Sequence, residues 1–353
     1  MHDGKNGTGN DGPPATEDEP PGATFRTELR RAVTPRATIL LCGVLLLEIA
    51  FVVSFIGAFH SPRPRDLAVA VVAPGQAQAG LIDELNALPG EPLAARAAES
   101  ASEARAMVLD RRADAALLAG PGPDRLLVAS AGGPAAVQSL QAVFEKTGGG
   151  DVVVTDLRPP HPADGRGLSS FYLVLGVVIG GYLASAALSA SYGARPANPH
   201  LTVVRLLALA ALSVVSGLAG VIVVDPVFHA LPGHFGALWG IATLITFAAA
   251  AAGMAFQVLL GTPGIALSVL VFVVLGNPSA GGVYPSTLLP PFWSAIGQAL
   301  PNGAGVTLVR NYAYFGGHGT SAAWWVLAAW AAGGVLISCL ASFRRPPGAD
   351  LLP

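Results

Sequence analysis

The chain has 353 residues, of which 52% are apolar and only 12% charged, with a formal net charge of −2 at pH 7. A soluble domain carries about 25% charged residues; here the charge is missing from several long runs, which is a membrane pattern. The small net charge excludes a nucleic-acid partner held by bulk electrostatics, and two cysteines, Cys42 and Cys339, cannot build a disulfide framework.

Residues 1–36 read as a cytoplasmic tail. The first part is Gly, Pro, Asn, Asp and Glu without apolar periodicity, so disorder is expected. The basic stretch that follows carries Arg26, Arg30, Arg31 and Arg36. Two readings are open there: a short amphipathic helix on the inner membrane surface, with Phe25, Leu29 and Val33 on one face, or a plain positive flank. Residues 37–59 form the first predicted transmembrane helix, too long for a signal-peptide core.

Residues 60–166 have soluble character and predict an extracytoplasmic α/β domain inserted between helices 1 and 2. Strands are expected at 66–73, 113–118, 125–130 and 152–157, and helices at 78–88, 102–112 and 135–146. Pro62 and Pro64 before it, and Pro159, Pro160 and Pro162 after it, mark the joints.

Residues 167–343 predict a five-helix transmembrane domain, with spans at 168–190, 203–224, 236–260, 264–276 and 322–342, and a cytoplasmic tail at 344–353. The fold class is thus an α-helical polytopic membrane protein with six transmembrane helices. The fifth is short. Its continuation, 278–315, is rich in Pro and Gly and is expected to be a re-entrant or interfacial outer hairpin, since irregular backbone at membrane depth survives only against protein or a cavity. Arg195 and Arg205 around the loop between the second and third spans, Arg344 and Arg345 after the last span, and the basic tail all fall on one face if both termini are cytoplasmic in the cell membrane; Arg63, Arg65 and Arg166 fall on the other, beside a long domain where the rule is weak. Trp239, Trp293, Trp324 and Trp325 then fall at the outer interface.

The chain offers no nucleophile–base pair, zinc-protease motif or phosphate loop, so no catalysis, cofactor or metal is expected of it. Glu48 lies mid-span, where a carboxylate costs about 2.5–3.5 kcal/mol and should face protein or water. It lines a substrate or proton path, or it fixes helix packing. Gly176 with Gly180, Ser213 with Gly217 and Gly236 with Gly240 are small-residue pairs suited to close helix approach. Asp225, His229 and His234 match no tight ligand spacing and read as an interfacial loop. Arg310 is expected to snorkel to the headgroups.

The layout of one span, an outer α/β domain and five further spans resembles the permeases of type-2 ABC exporters, in particular the phage-infection-protein-like bacterial membrane proteins. The resemblance is carried by Leu289-Pro290-Pro291-Phe292-Trp293, Leu300-Pro301-Asn302-Gly303-Ala304, Arg310-Asn311 and Tyr314-Phe315-Gly316, and by the segment from Ala113 to Gln138. The outer motif so marked includes Pro291, Trp293, Pro301, Gly303 and Arg310. The resemblance implies a permease in the lipid bilayer that pairs with a second permease, as a homodimer or with a relative. It also implies separate cytoplasmic ATP-binding subunits docking near Arg26, Arg30, Arg31 and Arg195, and export of a hydrophobic or amphipathic substrate. The competing expectation is a non-transporting surface protein, such as a receptor, adhesion or secretion-scaffold component, acting through its outer domain.

Overall fold

The structure is a computed structural model that describes residues 34–146 and 152–343. The basic positions Arg26, Arg30 and Arg31, the expected disordered tail and the C-terminal segment with Arg344 and Arg345 lie outside the described residues. Among the described residues, five helices are long and apolar enough to cross a membrane: Ala37–Phe59, Ser169–Tyr192, Pro199–Val227, Phe235–Leu260 and Ser321–Phe343. With them comes a five-stranded mixed sheet. The chain is a multi-pass membrane protein.

Two compact units divide the chain, residues 1–49 and 50–353. The described part of the first is the N-terminal half of α1 (Pro35–Phe59). Thr34 caps it, its hydroxyl accepting the Ala37 N–H at 3.1 Å, and Pro35 opens it at a position whose N–H has no helical partner.

The second unit contains the sheet. Its strands are β1 (Leu67–Val72), β2 (Leu93–Ala97), β3 (Ala115–Leu118), β4 (Arg125–Val128) and β5 (Val153–Asp156). Their order is β2-β1-β3-β4-β5. All pairs are parallel except the β3–β4 hairpin. Alternation decides the two faces. Leu67, Val69 and Val71 point with Leu117 and Leu126 toward α2 (Ala77–Asn86) and α4 (Pro134–Lys146), which bring Leu85, Leu140 and Phe144. Ala70, Ala116 and Leu127 point the other way, toward Met107 and Val108 of α3 (Ala101–Leu109). The strand β2 is not among the strands expected from the sequence. Its residues are Leu-Ala-Ala-Arg-Ala, without the β-branched or aromatic side chains that mark a strand.

The membrane helices of this unit are α5 (Ser169–Tyr192), α6 (Pro199–Ile222, running on through a π turn at Val223–Val227), α7 (Phe235–Leu260) and α11 (Ser321–Phe343). Between α7 and α11 run α8 (Pro263–Ser279), α9 (Pro291–Gly297) and α10 (Pro301–Phe315). Lipid tails give no hydrophobic drive to helix pairing, so close packing of small residues must supply it. The helix α7 shows how: Ala248 to Ala255 are all buried, and α5, α6, α10 and α11 pack around it. A methyl group at Gly217 would lie 2.7 Å from the Thr243 backbone nitrogen, so α6 and α7 touch there through bare backbone. The other small-residue pairs behave differently. An added methyl at Gly176, Gly236 or Gly240 would meet nothing within 4 Å, one at Gly180 would only touch the Ser216 hydroxyl at 3.4 Å, and α5 instead comes close to α7 at Gly181, against the Thr246 carbonyl.

The segment expected to be an irregular hairpin contains a regular 15-residue helix, α10. Of the prolines in this segment, Pro285 and Pro290 are extended and stand outside the helices, whereas Pro291 and Pro301 each sit in the first turn of one, where the missing N–H and fixed φ favour initiation. The preceding α8 is continuous from Pro263 to Ser279. At about 1.5 Å per residue it is about 25 Å long, short of the roughly 30 Å hydrocarbon core. Its middle, Leu270–Leu275, is a π turn.

Candidate functional site

The α/β domain and the helices meet along residues 281–319, and the contacts there are specific. Both chain joints are tied to it. On the entry side the Arg63 and Arg65 N–H groups donate to the Leu288 and Thr287 carbonyls at 3.1 and 2.9 Å. The Arg65 guanidinium adds a 2.7 Å bond to the Leu289 carbonyl. On the exit side buried Asp164 accepts the Tyr314 hydroxyl at 2.7 Å through one oxygen and the Ser169 N–H at 2.9 Å through the other, the latter at the start of α5. The His161 N–H donates to the same Tyr314 oxygen at 3.3 Å.

Phe315, the last residue of α10, leaves the membrane-helix packing and joins the domain's second core with Met107, Val108 and Ala131. The Arg111 guanidinium lies over its ring, 4.8 Å from the centroid, within cation–π range. The helix α10, which also packs against α5, α7 and α11, thus supplies a side chain to the sheet's hydrophobic core.

Arg310 is at the centre of this junction, 6% exposed. Its guanidinium donates to the carbonyls of Gly281 and Gly282 at 3.0 and 3.2 Å, with a longer 3.5 Å contact to Gly132 of the domain. The expectation that it snorkels to headgroups is therefore corrected. α10 is packed among other helices, and the loop carbonyls of Gly281 and Gly282 take the guanidinium's donors. Burial, and then the charge of Arg111, push its pKa down to about 10, against the opposing influence of Asp164 and Tyr314. Burial likewise lowers Arg111, with Asp114 opposing. Burial and the Asp164 hydrogen bond raise the Tyr314 phenol, which keeps it a donor. A pair of glycines brings the domain's backbone close to Arg310. A methyl at Gly132 would meet the Arg111 guanidinium at 2.5 Å, and one at Gly133, whose φ is +146°, would meet Pro285 at 2.6 Å.

A second polar cluster lies deeper, at the π turn of α8. The Asn302 amide donates to the Phe272 carbonyl at 3.0 Å and to the Asn277 side-chain oxygen at 2.8 Å. Ser54 of α1 donates to the Val274 carbonyl. Two side chains from different helices thus serve carbonyls of one π turn, a geometry frequent at functional sites.

The motif residues singled out in the sequence come together here. Pro291, Trp293, Pro301, Gly303 and Arg310 all lie on α9 and α10. Trp293 is buried against Ala58 and Leu289. Gly303 is where α10 meets the Gly297 carbonyl of α9 too closely for any side chain. Arg195 donates to the Val258 and Leu259 carbonyls at 3.1 and 3.0 Å, capping α7. Glu48, in the first unit, is exposed. Among the described residues no group of three or more His, Cys, Asp or Glu side chains is placed to hold a metal ion. Three participants are not singled out in the reading of the sequence: Arg111, Asp164 and Asn302 in its π-turn role. Asp164 had a legible signal, an acidic residue five positions before an apolar run; Arg111 had none.

No protein-family model, curated protein or solved structure matches the chain.

Proposed function

We propose that the chain is the membrane subunit of an ATP-driven exporter of a hydrophobic or amphipathic substrate, of the type-2 ABC permease kind, with the ATPase on a separate chain. The observation that supports this most is the keyed junction. Phe315, Tyr314 and Arg310 on one helix engage the α/β domain, so a tilt of α10 moves the domain with it. Such coupling suits a machine in which helix rocking opens a path on the domain's side.

In this reading α8 is a sixth, short crossing, and α9 and α10 are re-entrant on the outer side. Both termini are cytoplasmic, and two permeases pair in the cell membrane. Arg195 and Arg205 lie at the far end of α5 from the domain, about 36 Å away along a 24-residue helix. By the positive-inside tendency that end is cytoplasmic and the domain is external. Arg26, Arg30, Arg31 and Arg195 border the surface offered to the ATPase. Glu48 lines the substrate path.

The test is capture of the full-length chain from membranes in mild detergent, followed by assay of ATP hydrolysis in the eluate. A co-captured nucleotide-binding chain whose hydrolysis is stimulated on reconstitution supports the reading. Its absence, together with unaltered export on deleting the gene, overturns it. Glu48→Gln keeps the fold and is expected to slow export; unchanged export removes Glu48 from the path. The surface-protein alternative fails if a chain lacking residues 66–157 retains activity.

A further inference from the structure

Arg310 has more donors than the protein uses. A guanidinium carries five N–H groups, and those of Arg310 reach only the Gly281, Gly282 and Gly132 carbonyls. Its Nε has no partner although the residue is only 6% exposed. The side chain lines a cleft of about 250 Å³ whose wall also includes Arg111, Gly132, Gln298, Thr307 and Asn311. At about 30 Å³ per water the cleft holds roughly eight waters, room for a tetrahedral anion with its first hydration.

Two cations line one small cleft, and among the described residues neither comes within ion-pair distance of a carboxylate. The nearest acids are committed elsewhere. Asp164 serves Tyr314 and Ser169, and Asp114 accepts the Ala68 N–H at 3.0 Å. Arg111 also stands in a strained place. It follows the helix α3 with φ of +60°, a conformation that favours glycine and costs other residues about 1–2 kcal/mol. Its N–H closes the helix on the Val108 carbonyl at 3.2 Å, a task glycine performs without strain. What arginine adds there is the charge in the cleft and the contact with Phe315. A guanidinium without a counter-charge in such a setting is costly, and an oxyanion accepting from the donors that the Gly281 and Gly282 carbonyls leave free recovers that cost through charge-assisted bonds.

We infer that the Arg310–Arg111 cleft is a binding site for a phosphate-type anion at the junction of the α/β domain and the membrane helices. The anion is a lipid headgroup entering from the bilayer or a soluble phosphate. This goes beyond the exporter reading and does not need it, because binding is measured on the chain without any ATP-hydrolysing partner.

The test uses the purified full-length chain. Calorimetric titration with inorganic phosphate probes the soluble source. Native mass spectrometry from nanodiscs of phosphatidylglycerol, and of phosphatidylcholine alone, probes the headgroup. One saturable equivalent of phosphate without retained lipid supports the site with a soluble ligand. Retained phosphatidylglycerol that phosphate displaces supports it with a headgroup. Two variants place the ligand: Arg111→Gly removes one cation and relieves the φ strain, so folding is preserved. Gln298→Glu adds a negative charge to the exposed rim while keeping the acceptor that Thr307 uses at 3.0 Å. Each is expected to weaken binding at least tenfold, or about 1.4 kcal/mol. No saturable binding of either probe to the parent chain overturns the inference, as does binding that both variants leave unchanged.

Discussion

Replacing Phe315 by alanine isolates the link between the membrane helices and the sheet. The ring is 4% exposed and packs among Met107, Val108 and Ala131 although it belongs to α10. Truncating a buried phenylalanine costs about 3–5 kcal/mol, and loss of the Arg111 contact adds about 0.5–1 kcal/mol. A domain of this size is stable by about 5–15 kcal/mol, so the substitution removes a large share of it. The expected effect is local. Hydrogen exchange followed by mass spectrometry should show peptides from residues 104–117 exchanging faster by about two and a half to four orders of magnitude, at roughly tenfold per 1.4 kcal/mol. Peptides from 238–255, in the centre of α7, should change little. Phe315→Leu, which keeps most of the volume, should fall between. Unaltered exchange at 104–117 in a folded Phe315→Ala chain would refute the argument that α10 completes the sheet's core.

Gly217→Ala forces a methyl to within 2.7 Å of the Thr243 nitrogen and should lower detergent-solubilised stability by about 1–3 kcal/mol, while Gly240→Ala, with nothing within 4 Å, should be silent in the same melt. Asn302→Ala strips the buried Phe272 carbonyl and Asn277 side chain of a donor and should cost about 1–3 kcal/mol per group left unpaired, read as a lower midpoint in thermal unfolding. Tyr314→Phe should cost about 1.5–3 kcal/mol for its bond to the Asp164 carboxylate. The phenol's pKa is raised in the folded chain, so the folded state keeps this proton where the unfolded one, at about 10, releases it. That stabilisation is complete below about pH 10 and is lost as pH rises through the folded value. Arg310 runs the other way, being lowered to about 10 in the folded chain. Comparing parent and Tyr314→Phe across alkaline pH isolates the phenol: the stability gap should narrow, and a gap that stays constant would contradict the assignment.

The membrane helices were legible in the sequence because an uncharged apolar run of about twenty residues matches the thickness of a bilayer and exceeds what a buried core helix needs. The run at 236–260 is such a case, and its helix is Phe235–Leu260. Strands β1 and β3 were legible for a related reason, since a buried parallel strand is a short unbroken apolar run. β2 was not, because its contribution is the backbone ladder to β1 and not its side chains. The proline-rich segment misleads in a specific way. Proline reads as a breaker, whereas at Pro291 and Pro301 it begins a helix, and only the neighbouring chain decides which role applies. The junction was half legible. The motif marked α9 and α10, but the partners that give Arg310 and Tyr314 their setting lie about 150 residues or more away in sequence, at Gly132 and Asp164.

Three arginines in this chain perform one task, and that task accounts for the choice of arginine over lysine. Arg195 bridges the carbonyls of Val258 and Leu259, Arg205 those of Tyr192 and Gly193, and Arg310 those of Gly281 and Gly282. Each pair is consecutive in sequence, at a helix end or a loop where backbone acceptors have no helical donor. A rigid guanidinium fork reaches two adjacent acceptors at once; an ammonium is a point charge on a flexible stem and meets one. Arg205→Lys therefore preserves the charge and its attraction to the helix C-terminus, yet should lose one of the bonds of 2.8 and 2.7 Å and destabilise the solubilised chain by about 1–3 kcal/mol. The same change at exposed Arg112 should be neutral. Equal melting of the Arg205→Lys and parent chains would mean that charge alone holds the end of α5, and the bridging argument, with its extension to the spare donor of Arg310, would lose its footing.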